Sequence, residues 1–209
     1  MKYYIMRHGK TKGNEEGRYL PPDEHLSEAG IRELKEKRDA GLYLELERAL
    51  LTDQVFEEEL QRIPLFISPH IRCRETAELL FPGVSCHVID EFREIDFGRF
   101  TGKNYAELNK SEEYQRWIDS NGELPFPEGE SKSAYIRRVK EGLQRIRTLM
   151  KESERSSDIR SDARNDEDGH VVIIAHAGTI MAVNEVITGS GYFDISPEFG
   201  EIFCFSIAD

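Results

Sequence analysis

Three things are scarce in this sequence, and each scarcity excludes a class of function. Cysteine is the first: Cys73, Cys86 and Cys204 are widely spaced and odd in number, so a disulfide framework is not expected and reduced thiols point to a cytoplasmic protein. None of the three stands with a histidine or second cysteine at zinc-site spacing. Long apolar runs are the second. Nothing approaches the roughly 20 residues that cross a bilayer, and the N-terminus passes from Met1 directly into a strand-like run with no signal-peptide pattern. Net positive charge is the third. With 28 Lys and Arg against 40 Asp and Glu the formal charge is −12, which repels nucleic acid and anionic membranes over most of the surface and makes both unexpected partners. The same field repels phosphorylated metabolites, so any phosphate site must be a local concentration of cations.

What remains suits one domain over residues 1–209, long enough to bury a sizeable core. Lys2-Tyr3-Tyr4-Ile5-Met6 has strand character and runs into the polar turn Arg7-His8-Gly9-Lys10-Thr11. A helix is expected from Leu26 to about Arg38 with Ser27 as N-cap, and Leu42, Leu46, Leu50 and Leu51 continue helical spacing beyond Gly41. Ile63 to Ile67 reads as a second strand, followed by Ser68 as N-cap, Pro69 at the first helical position and a helix to about Leu80. Ile136, Val139, Leu143, Ile146 and Met150 recur at three- and four-residue steps, which predicts an amphipathic helix between Ser131 and Met150. The stretch 152–168 is almost wholly Ser, Asp, Glu, Arg and Asn, the composition of a mobile acidic surface loop. Then Val171-Val172-Ile173-Ile174-Ala175 is a β-branched run typical of a strand covered on both faces. A helix follows from Ile180 to Ile187, and a last strand from Ile202 to Ile207. Alternating strands and helices predict an α/β three-layer sandwich with a mostly parallel central sheet.

In such sheets ligands bind beyond the C-terminal strand ends. The first strand ends in Arg7 and His8, the second is followed by Ser68-Pro69-His70-Ile71-Arg72, and the third ends in His176. Two imidazoles and two guanidiniums therefore open onto one sheet edge, which supplies the local positive site. Paired arginines suit bidentate recognition of a tetrahedral oxyanion, and neutral imidazole is a competent nucleophile toward phosphorus. Helix N-termini at the same edge add N–H donors for the phosphate. His25, His70, His87 and His170 show no partner pattern and are expected at surface or structural positions. Arg18 and Arg138 fit either substrate positioning or salt bridges.

Arg7-His8-Gly9-Lys10-Thr11-Lys12-Gly13-Asn14 resembles the RHGxTxxN signature of the histidine phosphatase (phosphoglycerate mutase-like) superfamily. Ser68-Pro69-His70-Ile71-Arg72 with Glu75-Thr76-Ala77 resembles its SPLxRAxQTA segment. Glu94-Ile95-Asp96-Phe97-Gly98 resembles the stretch that carries its acidic proton donor, and Gly129-Glu130-Ser131 with Arg138 its GES segment. His176-Ala177-Gly178 stands where a second histidine motif is usual. The resemblance implies a phosphoglycerate mutase-like fold and a metal-independent phosphomonoester hydrolase without cofactor. His8 would become phosphohistidine. Arg7, Arg72 and His176 would hold and neutralise the phosphoryl oxygens, and Asn14 would hydrogen-bond them unless it serves only the turn. Glu94 would act as acid and then base, although Asp90, Glu91 and Asp96 beside it also fit a plain solvated loop.

The chain is short for a mutase of that superfamily, which favours net hydrolysis. Asn104 to Leu108, Tyr114 to Asp119 and Leu124 to Pro127 look similar to the α-ribazole phosphatase branch of cobamide assembly, so α-ribazole 5′-phosphate is the substrate the resemblance suggests. Trp117 and Phe126 would wall a flat base or simply pack the core. A broad-specificity phosphatase, a phosphoglycerate mutase and a catalytically silent phosphate-binding module are the alternatives. Three features depart from the pattern: Tyr19-Leu20-Pro21-Pro22 where a Gln-Gly pair is usual, the long connection from Gly30 to Ser68, and the acidic loop. The oligomeric state is not legible in the sequence.

Overall fold

The computed structural model describes residues 1–51, 64–156 and 170–206. Five strands form one sheet: β1 (Lys2–Arg7), β2 (Leu65–Ile67), β3 (Cys86–Val88), β4 (His170–Ala175) and β5 (Ile202–Ser206). Their order is β3-β2-β4-β1-β5. The first four run parallel and β5 pairs antiparallel with β1, so the sheet is mostly parallel as expected.

Helices cover both faces. On one side α2 (Glu28–Asp39), α3 (Leu44–Leu51) and α4 (Ile71–Leu80) place Leu34, Leu46, Leu50, Cys73, Ala77 and Leu80 against Met6, Leu65, Ile67, Val172 and Ile174. On the other, α7 (Lys132–Ser156) and α8 (Ala177–Thr188) place Tyr135, Val139, Leu143, Ile146, Ile180 and Val183 against Tyr3, Ile5, Val171, Ile173 and Ala175. The two faces of β4 thus take alternate residues of one apolar run, which is why that run shows no polar alternation. Each fully buried aliphatic side chain here contributes about 1.5–3 kcal/mol of transfer free energy.

Three smaller α-helices also lie among the described residues: α1 (Lys12–Glu15) shortly after the Arg7-His8-Gly9 turn, then α5 (Tyr105–Leu108) and α6 (Glu112–Asp119). The segment between β3 and α7 contributes Phe92, Phe100, Leu108, Tyr114 and Phe126 to the core on the α7 side.

Ser27 caps α2 through a bond from the Gly30 amide. Ser68 does not cap α4. Its own amide extends the ladder by donating to the Ile174 carbonyl (3.0 Å), so the chain stays extended through His70 (φ −69°, ψ 140°), which is the N-cap without a side-chain bond. Helix α7 runs to Ser156, beyond the expected end at Met150, because Lys151, Glu152, Glu154 and Arg155 are all good helix formers. The first five residues of the expected acidic loop are therefore helical, and its remaining positions lie outside the described residues. Strand β3, three residues with no fully buried side chain, was not expected.

Candidate active site

The parallel strands deliver their polar ends to one edge. Arg7 closes β1 in register with Ala175, the last residue of β4. The His8 amide then donates to the Ala175 carbonyl (3.0 Å), which brings His8 and His176 side by side with ring centroids 5.2 Å apart. From β2 the chain continues into Ser68 and α4, whose first turn carries Arg72, fully buried. From β3 it passes through Ile89, whose amide still bonds Ile67 (2.9 Å), into the loop that ends at Glu94.

Arg72 is the hub. Its Nε donates to His8 Nε2 (3.3 Å), Nη1 to the Pro21 carbonyl (2.9 Å) and Nη2 to His176 Nδ1 (3.4 Å). The Tyr19-Leu20-Pro21-Pro22 departure thus supplies a carbonyl that anchors the buried guanidinium. On the other side of the His8 ring, Nδ1 lies 2.7 Å from the Gly9 carbonyl. Because a carbonyl only accepts and a guanidinium only donates, His8 carries its proton on Nδ1 and presents the Nε2 lone pair. The same logic makes His176 Nδ1 an acceptor and Nε2 the donor to Ser68 Oγ (2.8 Å).

Burial, with the charge of Arg72 next, holds both imidazoles well below the ordinary histidine range and therefore neutral. Burial acts oppositely on Glu94, raising its carboxyl above the ordinary range although Arg72 and the Ile95 amide pull it down. Glu94 Oε2 lies 3.6 Å from His176 Nδ1, while Oε1 accepts from the Ile95 amide (3.1 Å) and sits 3.5 Å from the Tyr135 hydroxyl. Two guanidiniums, two neutral imidazoles and a carboxyl whose pKa burial raises are thus gathered at one sheet edge, a set of groups suited to holding an anion.

The loop bearing Glu94 is clamped by Arg138, which donates to the carbonyls of Glu91 and Arg93 (both 2.9 Å) and Glu94 (3.5 Å) and forms a bidentate pair with Glu130. Gly178, in the first turn of α8, leaves room for the carboxyl: a Cβ there would meet Glu94 Oε1 at 3.1 Å and the Tyr192 hydroxyl at 2.9 Å.

A cavity of about 280 Å³ opens beside His8, Arg7, Asn14 and Glu94. Away from that polar end its walls are apolar and largely aromatic, with Tyr19, Phe97, Trp117, Phe126, Met181 and Phe193 among them. The two cations among those walls, Arg18 and Lys132, are already engaged. Arg18 pairs with Glu16 and Glu107, and Lys132 pairs with Glu123.

The model of the histidine phosphatase superfamily, branch 1, matches residues 3–194. The chain belongs to that superfamily. Over 154 residues the chain is 30% identical to phosphoserine phosphatase 1 of Hydrogenobacter thermophilus, covering 70% of this chain and only 64% of that protein's length. Over 185 residues it is 28% identical to the adenosylcobalamin/α-ribazole phosphatase of Salmonella typhimurium, covering 86% of this chain and 76% of that protein. The solved α-ribazole phosphatase of Shigella flexneri shares the fold, with a TM-score of 0.70 at 20% identity over all of this chain and 91% of that one.

The residues singled out in the sequence fall as follows. His8, Arg7 and Glu94 line the polar end of the cavity, and the fully buried Arg72 and His176 lie directly behind them, Arg72 bonded to both imidazoles and His176 3.6 Å from the Glu94 carboxyl. Asn14 lines the cavity too, but its Oδ1 accepts from the Thr11 amide and hydroxyl in a capping box, so only its amide nitrogen is left to donate inward. Arg18 and Arg138 both form ion pairs. His25 is an exposed partner of Glu75. His70, expected at a surface or structural position, instead packs against His176 with ring centroids 4.9 Å apart. Burial and the nearby Arg72 push its pKa down to about 4. Ser68, Tyr135 and Phe199 also touch the site residues. The buried Tyr135 hydroxyl was indistinguishable from core packing in the helical pattern, and nothing in the sequence near Phe199 marked it.

Proposed function

We propose that this chain hydrolyses small phosphomonoesters without a metal ion, through a phosphohistidine on His8. The observation that carries this reading is the tautomer of His8. With Nδ1–H bonded to Gly9 and Nε2 bare except for a donor from Arg72, the ring is a neutral nucleophile before substrate arrives, so no proton has to be removed. A phosphate dianion draws the donors of Arg72 and Arg7 to its own oxygens. The Asn14 amide and the free N–H groups at the start of α8 extend the cradle. The Nε2–P bond then forms as the P–O bond to the leaving group breaks, and protonated Glu94 supplies the proton for the departing oxygen. Water next attacks phosphorus, Glu94 takes its proton, the Nε2–P bond breaks and phosphate leaves.

For the leaving group we favour a flat, largely apolar moiety, with α-ribazole 5′-phosphate as the best candidate. Aromatic walls reward burial of a ring, whereas phosphoserine presents an ammonium and a carboxylate, and Arg18 and Lys132, the cations among those walls, are already paired.

The test is turnover of p-nitrophenyl phosphate and of α-ribazole 5′-phosphate, phosphoserine and 3-phosphoglycerate, with EDTA present and with vanadate as inhibitor. His8→Ala should abolish both turnover and an acid-labile phosphoprotein. Undiminished activity in that variant would refute the nucleophile, and phosphoserine turning over faster than α-ribazole phosphate would refute the choice of leaving group.

A further inference from the structure

Arg7 is held in an unusual way for a half-buried guanidinium, since no carboxylate pairs with it within ion-pair distance among the described residues. Its Cζ lies 3.6 Å from the centroid of the Phe199 ring, its Nη1 donates to the Pro197 carbonyl (2.7 Å), and its Nε is buried without a hydrogen-bond partner. Phe199 itself is fixed from three directions. The Lys37 ammonium donates to the Phe199 carbonyl (2.5 Å), the Tyr43 hydroxyl to the next carbonyl, Gly200 (2.9 Å), and the Gly200 amide to the Arg7 carbonyl (3.0 Å). The ring also reaches the Lys10 ammonium (5.2 Å) and the His8 imidazole (6.2 Å).

The charges explain why a ring suits this position. Arg7 and the buried Arg72 repel each other, and Glu94, the carboxyl whose charge acts most strongly on Arg7, lies outside ion-pair distance of it. A carboxylate beside Arg7 would cancel the repulsion, but it would also occupy the planar N–H fork and compete with phosphate for it. An aromatic face attracts a guanidinium through its quadrupole and leaves every N–H in the plane free. The Pro197 carbonyl takes one of those N–H groups, and the orphaned Nε belongs to the edge that remains for an anion.

We infer that Phe199 is a positioning residue for the phosphate-binding arginine: it holds Arg7 from the face so that the Nε edge of the guanidinium stays open to a phosphoryl oxygen. The inference rests on the phosphatase reading above and adds to it a residue from the far end of the chain.

Calorimetric titration of the full-length protein with inorganic phosphate and with orthovanadate tests this without needing turnover. Phe199→Leu, which keeps bulk but loses the π face, should weaken both anions about five- to thirtyfold, the range set by a desolvated cation–π contact. In steady state the same variant should raise KM more than it lowers kcat, and Phe199→Trp should restore binding to within about twofold. In an Arg7→Met background Phe199→Leu should have no further effect, since the ring acts through the guanidinium. Unchanged anion affinity in Phe199→Leu, no recovery with Trp, or an equal loss in the Arg7→Met background would each overturn the role of Phe199. Failure of the unsubstituted protein to bind either anion would instead overturn the phosphatase reading, and this inference with it.

Discussion

Replacing Glu94 with glutamine separates the proton-donor role from every other property of the site. The substitution keeps volume, and its amide oxygen can still accept from the Ile95 amide and lie near the Tyr135 hydroxyl as Oε1 does now. What it removes is the transferable proton. General acid catalysis is worth about 10²–10⁴ in rate, or about 3–5 kcal/mol in barrier height. An alkyl phosphate, whose leaving oxygen must be protonated, should lose the whole factor in the first step. An aryl phosphate such as p-nitrophenyl phosphate needs no such help, so Glu94→Gln should still form phosphohistidine quickly and then stall, because the same residue activates water. Rapid-quench measurement would show a burst of about one equivalent of p-nitrophenol followed by a slow phase, and little burst with α-ribazole phosphate. Stability should move the other way. Burial raises the folded-state pKa of Glu94, so ionisation penalises the fold once pH rises above the ordinary glutamate value of about 4.3. Below that pH the group is protonated in folded and unfolded chains alike and contributes nothing. Glu94→Gln should therefore melt higher than the parent near neutral pH, with the difference closing in acid. Full alkyl-phosphatase activity in this variant, or a lower melting temperature at pH 7 than the parent, would refute the reasoning.

Two further substitutions test how Glu94 is placed. Arg138→Ala strips the donors from three loop carbonyls and leaves the largely buried Glu130 carboxylate unpaired. It should cost about 3–5 kcal/mol in denaturant unfolding and reduce kcat with it. Gly178→Ala inserts a methyl against Glu94 Oε1 and the Tyr192 hydroxyl; an overpacking cost of about 1–3 kcal/mol is expected by thermal melting, with a larger proportional loss on alkyl than on aryl phosphates.

The parts of this fold that were legible are those whose burial is periodic. The run from Val171 to Ala175 had to be a two-sided strand, and the three- and four-residue steps from Ile136 to Met150 had to be a helix face. His8, Arg72 and His176 could be placed on one edge because each follows a parallel strand directly. The misses have equally specific causes. In β3 a strand of three partly exposed residues carries no pattern to detect. Ser68 and Pro69 look like a helix start in isolation, and only the bond from the Ser68 amide to Ile174, across the sheet, keeps them extended. His70 and Phe199 take their importance from side chains that approach them across the fold. No window of sequence contains both members of either pair, so spacing could not reveal them.

The place of β1 in the sheet also sets the order of events during synthesis. This strand carries the arginine and histidine of the site, yet both of its neighbours, β4 and β5, come from the last fifth of the chain. A ribosome therefore exposes the apolar Tyr3-Tyr4-Ile5-Met6 run long before anything exists to pair with it. Contacts across so much sequence pay their loop-closure entropy late, which slows folding and leaves an early strand open to wrong partners. His8 is made well before the segment from Pro197 to Ser206, and its frame is finished only when that segment has emerged.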